Sequence, residues 1–119
     1  MVGYGFKICR IMDGKLYSMS NLGTLLRYKL GKTTYCRPDD GPLTIFRDLP
    51  TLKKYWRQQM LRDSHYKIFQ VCYTEYEGDC KGVWTARSSY RKVPESKLPA
   101  GTILCTAVTL LKEIDTWNI

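Results

Sequence analysis

The sequence predicts an α+β fold: six to seven mostly antiparallel strands in a curved or half-barrel sheet, with one main helix, about residues 49–61, packed across it. Three stretches carry that expectation. Asp13-Gly14 joins two short strand-like runs, and a type I′ hairpin turn needs positive φ at both central positions, which Asp-Gly supplies. Residues 43–61, LTIFRDLPTLKKYWRQQML, run from a buried strand straight into a helix. Residues 102–111, TILCTAVTLL, are continuously apolar or β-branched, as expected of a strand buried on both faces. The length of this last run also permits a helix, but Thr102, Ile103, Thr106, Val108 and Thr109 argue for a strand.

Taken in order, residues 5–12 form a first strand, with Phe6, Ile8 and Arg10 toward one face and Lys7, Cys9 and Ile11 toward the other. Residues 15–20 return as the second strand, Asn21-Leu22-Gly23 turn the chain, and residues 24–29 make the third. Residues 31–42 read as a loop, because Pro38, Gly41 and Pro42 break regular structure and Asp39-Asp40 favour turns. At about twelve residues it is long for a compact domain, and such loops often carry function. After the strand at Leu43, Ile45 and Phe46, Asp48 is a preferred N-cap and Pro50 falls in the first helical turn, where its missing N–H costs nothing. Leu52, Tyr55, Trp56 and Met60 recur at helical spacing, with Lys53, Lys54, Arg57 and Gln58 mostly on the other side. The helix is therefore expected to dock through Leu52, Trp56 and Met60. Residues 66–73 alternate as a strand, residues 75–82 turn, residues 83–87 make a further strand, and Ala100-Gly101 turn the chain into the last one. The pattern does not assign residues 112–119.

At 119 residues the chain is expected to be a single domain, residues 1–119, large enough for one core without staples. No run of about 18 apolar residues exists to cross a membrane as a helix, and Lys7 and Arg10 interrupt any signal-like apolar start. The five cysteines contain no C-x-x-C pair and there is one histidine, His65, so no metal site is expected. The count is odd, and Cys9, Cys72 and Cys105 sit inside apolar strand-like runs. That pattern points to free thiols in a reducing compartment, hence a cytoplasmic protein. A catalytic cysteine would need a base, and His65 lies in a polar loop. Gly3-Tyr4-Gly5 is too short for a phosphate loop and no dinucleotide fingerprint is present, so no cofactor is expected.

Net charge is +8, from 19 basic and 11 acidic side chains. Such an excess favours an acidic partner, either nucleic acid or an anionic protein surface; the bland alternative is a soluble basic protein. Two stretches interleave basic and aromatic residues. The first carries Arg27, Lys29, Lys32 and Arg37 with Tyr28 and Tyr35; the second carries Lys81, Arg87, Arg91, Lys92 and Lys97 with Trp84 and Tyr90. Together they hold nine of the 19 basic residues, enough for one basic face if strand order brings them together. Lysine and arginine neutralise phosphates, and aromatic faces accept stacked bases. Arg27, Lys29, Lys32, Tyr35, Arg37, Trp84, Arg87, Tyr90, Arg91 and Lys92 are thus the candidate partner-binding residues, against the alternative of edge-strand charges that prevent aggregation.

The phrases FKICRIMDGKLYS, RYKLGKTTYCRPDDGPLTIF and LPAGTILCTAVTLL together resemble a scattered set of small uncharacterised proteins of phages, other viruses and microbes. That resemblance spans most of the chain. It implies a shared fold and no activity; a phage- or virus-borne protein would work in the host cytoplasm. Separately, Arg10, Ser18-Met19-Ser20 and Glu75-Tyr76-Glu77 resemble, in that order, the pattern of ADP-ribosyltransferase-like proteins of the Arg-Ser-Glu class. This second resemblance implies an NAD-using enzyme. Arg10 would hold the pyrophosphate, Ser18 would position the nicotinamide side, and Glu77 would stabilise an oxocarbenium-like transition state. Here a single hairpin separates Arg10 from Ser18, where that class places them far apart. The leading expectation is accordingly a non-enzymatic binding protein for an acidic partner, with a compact nucleotide-using enzyme as the alternative.

Overall fold

The structure, a computed structural model, describes residues 2–18, 26–37, 42–78 and 98–116, and the structural statements below concern those residues. Along the chain run β1 (Val2–Met12), β2 (Lys15–Tyr17), β3 (Arg27–Tyr28), β4 (Thr33–Tyr35), β5 (Leu43–Phe46), α1 (Leu49–Gln58), β6 (Tyr66–Glu75) and β7 (Thr102–Ile114). The seven strands form one sheet whose strand pairs are antiparallel, with a single parallel bridge between Leu30 and Leu110. The fold is α+β with a curved sheet, as the sequence predicts. The predicted strand at residues 83–87 lies outside the described residues.

Four strands pair in a closed cycle. β1 pairs with β6, β6 with β7, β7 with β5, and β5 returns to β1 at the single position Phe6–Phe46. β2 and β3 continue from the far end of β1, and β4 pairs with β7 beyond β5. The sheet therefore has an inside and an outside, and period-2 alternation distributes side chains between them. Cys9, Tyr28, Leu43, Ile45, Phe69, Val71, Cys105, Val108 and Leu110 pack into one buried cluster on the inside. On the outside, Ile8 and Ile68 pack with Leu52 and Trp56 of α1, flanked by Phe6, Phe46, Tyr55, Tyr66 and Ile114. The rings of Phe46 and Tyr55 stand 5.3 Å apart and those of Trp56 and Tyr66 6.4 Å, both in tilted or edge geometry.

The seam between β1 and β5 rests on a glycine. A Cβ at Gly5 would come within 2.7 Å of the Phe46 carbonyl oxygen and 2.6 Å of the Ile45 side chain. No other residue allows β5 so near. The hairpin between β1 and β2 behaves as predicted, with φ of 52° at Asp13 and 73° at Gly14.

Helix α1 begins as the sequence anticipates. The Asp48 carboxylate accepts from Thr51 N and Oγ1, both at 2.9 Å, which holds its carboxyl below the usual carboxylate range. It ends earlier than predicted, at Gln58 instead of residue 61. Met60 adopts φ 55°, and its N–H donates to Arg57 O while Leu61 N–H donates to Trp56 O. That is a Schellman closure with methionine in the left-handed position. Once the chain leaves helical geometry, periodicity no longer aims Met60 at the core, and it is 83% exposed instead of docked.

Other boundaries also differ. β1 starts at Val2, β2 stops at Tyr17, and β3 comprises Arg27 and Tyr28. The stretch predicted as a loop contains β4, because Thr33, Thr34 and Tyr35 suit a pleated position and β7 offers them a free edge. β7 extends past the predicted boundary to Ile114 and is buried on both faces only in its middle: Cys105, Val108 and Leu110 are buried on the inside and Ala107 on the outside, while Thr109 is half-buried and Leu111 exposed. No helix among the described residues is long and apolar enough to cross a membrane.

Leu52 is fully buried under the sheet. Leu52→Ala is expected to cost about 2–5 kcal/mol in chemical denaturation. Met60→Ala should stay within about 0.5 kcal/mol. Equal losses would mean the helix docks through a different face.

Candidate nucleic-acid interface

Residues 26–37 link the two ends of the sheet. Tyr28 pairs with Leu16 of β2, while Thr33, Thr34 and Tyr35 pair with Thr109, Val108 and Ala107 of β7. The backbone between is tied at several points: Gly31 N–H donates to Leu110 O at 2.8 Å, Lys32 N–H to Lys29 O at 3.1 Å, and Cys36 N–H to Thr106 O at 2.8 Å. Gly31 takes φ 79°, which a side chain would oppose. Because Tyr28 points into the sheet interior, its neighbours Arg27 and Lys29 are sent outward. Arg27, Lys29, Lys32 and Arg37 are all exposed, and the Tyr35 ring is 64% exposed beside them. Five of the ten candidate partner-binding residues thus sit on one tethered segment. Trp84, Arg87, Tyr90, Arg91 and Lys92 lie outside the described residues.

The alternative constellation is spread along the sheet. Arg10 opposes Tyr66 at the start of β6 and Tyr17 of β2, and Ser18 follows that strand, its N–H donating to Leu26 O at 2.9 Å. Glu77 lies beyond the other end of β6, which finishes at Glu75. About nine strand rises, roughly 30 Å, separate Tyr66 from Glu75. The register brings Arg10 and Ser18 near one another and sets Glu77 apart.

Beneath the basic segment lies Lys7, which the alternation of the first strand places on the face of Cys9 but which has no candidate role in the sequence. Lys7 is 6% exposed, inside the sheet. Its Nζ donates to Thr44 O at 2.7 Å and stands 5.1 Å from the centre of the Tyr28 ring. The amine thereby spans β1 and β5 where their ladder is reduced to one pair. The signal was available: Lys7 alternates with Gly5 and Cys9, two residues that suit an interior. Burial lowers the Lys7 amine from its ordinary value, opposed in part by Cys9 and Cys105. Burial pushes both thiols up to about 12 and lifts the Tyr28 phenol well above its usual range. The Tyr28 hydroxyl has no hydrogen-bond partner among the described residues. Cys9, Cys36, Cys72 and Cys105 are free thiols, and Cys80 lies outside the described residues. His65 is exposed, with Ser64 Oγ 2.9 Å from its Nδ1.

These shifts have a sign in solution. With the Lys7 value lowered on folding, the unfolded chain binds the extra proton, so the lysine makes stability rise with pH until its ordinary value is reached. Above about pH 8.5 the thiols ionise in the unfolded chain alone and stability falls again. In denaturation under reductant, the stability difference between Lys7→Met and the parent should shift in the parent's favour as pH rises toward the ordinary lysine value of about 10.4. A pH-independent difference would mean that Lys7 is not titrating in a buried site.

Compared with known proteins, the chain matches no family model, no curated protein and no solved structure.

Proposed function

We propose that this is a non-enzymatic nucleic-acid-binding protein that meets phosphates through the segment of residues 26–37. The observation that carries the reading is the exposure of Arg27, Lys29, Lys32 and Arg37 on a backbone tied into β2 and β7, with Tyr35 exposed among them. Basic side chains on a pre-ordered backbone neutralise phosphates without first having to order a loop. The net charge of +8 adds long-range attraction for the same partner. Trp84, Arg87, Tyr90, Arg91 and Lys92, which lie outside the described residues, remain candidate contacts in this reading by residue type alone. The free thiols support a reducing, cytoplasmic setting, which is the host cytoplasm if the protein is phage- or virus-borne. No observation favours the nucleotide-using alternative, for which Arg10, Ser18 and Glu77 would have to converge.

The test is a salt series of fluorescence-anisotropy titrations against single- and double-stranded DNA and RNA. Contact with about four phosphates of a single strand predicts a roughly 50-fold loss of affinity between 50 and 200 mM salt. Reversing Lys32 and Arg37 to Glu should at least halve that salt slope and leave the melting temperature near the parent's. Absence of binding at low salt would overturn the reading in favour of an anionic protein partner.

A further inference from the structure

Among the described residues, the helix covers one part of the outer sheet surface, around Ile8 and Ile68, and leaves another part open. In an antiparallel ladder, directly opposed residues share a face. The register therefore lines up Thr33, Thr109, Cys72 and Tyr4 across β4, β7, β6 and β1, and beside them Tyr35, Ala107, Thr74 and Val2. A 2.6 Å contact between the Thr33 and Thr109 hydroxyls agrees with that alignment. In the next row, Lys112 opposes Gln70, which opposes Phe6. This is the outer face, because the intervening residues Val71, Val108 and Leu110 belong to the interior cluster. Tyr4 is 71% exposed, which makes it and Tyr35 the two large aromatic side chains among the described residues that stand out from this surface. They sit on strands three spacings apart, about 14 Å across the face.

We propose that this open face is a stacking platform for single-stranded nucleic acid, with Tyr4 and Tyr35 each receiving a base. The proposal rests on the nucleic-acid reading above and adds to it the class of ligand and the residues that meet the bases. Charge selects the occupant. None of the positions that the register assigns to this face carries a carboxylate, Lys112 lies on it, and Lys32 and Arg37 bracket its edge strand β4. Phosphates thus find cations at the rim while ring faces stay free at the centre. Geometry selects the single strand: bases within a duplex are stacked on one another, whereas unpaired bases can lie on an exposed ring. Threonines and a cysteine between the tyrosines leave the floor low, so bases reach the rings without obstruction.

The experiment uses the full chain with a short oligothymidylate and, in parallel, a duplex hairpin. Tyr4→Ala and Tyr35→Ala should each weaken the single strand between about fivefold and about 150-fold, with the salt slope unchanged. Tyr4→Phe and Tyr35→Phe should retain affinity, since the ring face does the stacking. Both tyrosines are exposed, so melting temperatures should stay at the parent value and report that the variants fold. Cys72, in the middle of the face, should be protected from alkylation by the bound oligonucleotide, with a small free thiol added to the same sample as the reference. Binding that survives both alanine variants with Cys72 unprotected would overturn the platform and leave the basic segment as the site. Tighter binding of the duplex would also overturn it. Absence of any binding at low salt would overturn the platform together with the reading beneath it.

Discussion

Three consecutive residues hold the sheet closed. Gly5 lets β5 approach, Phe6 makes the one ladder pair with Phe46, and the Lys7 amine donates across the gap to the Thr44 carbonyl. A short strand such as β5 pairs well with β7 but has little left with which to hold β1. A hydrogen bond from a buried side chain replaces part of the missing ladder. Burying an amine is expensive, and its lowered protonation is the physical consequence. The aromatic face of Tyr28 offsets part of that penalty.

Closure has consequences well away from the seam. Once the strands form a ring, every second residue is committed to a sealed interior, and its neighbours are committed to the outside. Tyr28 is the clearest case. Its insertion beside Lys7 turns Arg27 and Lys29 outward, and the parallel bridge of Leu30 to Leu110 carries the chain over to β4. The exposed basic segment is therefore a by-product of how the interior is filled. The outer surface is divided in the same way. Leu52 and Trp56 cover Ile8 and Ile68, and the part left open among the described residues is the one bearing Tyr4, Cys72 and Tyr35.

Much of this was legible in the sequence because local chemistry determined it. Asp13-Gly14 favoured its turn, Asp48 favoured its cap, and the β-branched residues after Gly101 favoured a strand over the helix that the length of the run also permits. What escaped was decided by long-range pairing. Thr33, Thr34 and Tyr35 sit between glycine and prolines, so they looked like loop until β7 supplied a partner. Met60 kept helical spacing after the helix had ended, because a left-handed φ at a non-glycine residue leaves no mark on a periodicity count. For the candidate site, the basic side chains were visible as composition. Tyr4 was not, since its exposure and its alignment with Tyr35 follow from a register across four strands. The separation of Glu77 from Arg10 has the same origin: a ten-residue strand lies between their positions.

The central claim is that closure leaves one part of the outer sheet open among the described residues and that this part receives nucleic acid. Backbone amide shifts followed by NMR during titration with a single-stranded oligonucleotide test it most directly. The account predicts that perturbations concentrate at Tyr4, Cys72, Thr109, Lys32 and Tyr35 and spare Ile8, Leu52 and Trp56 beneath the helix. Perturbations centred on the helix-covered part, or none anywhere, would contradict it.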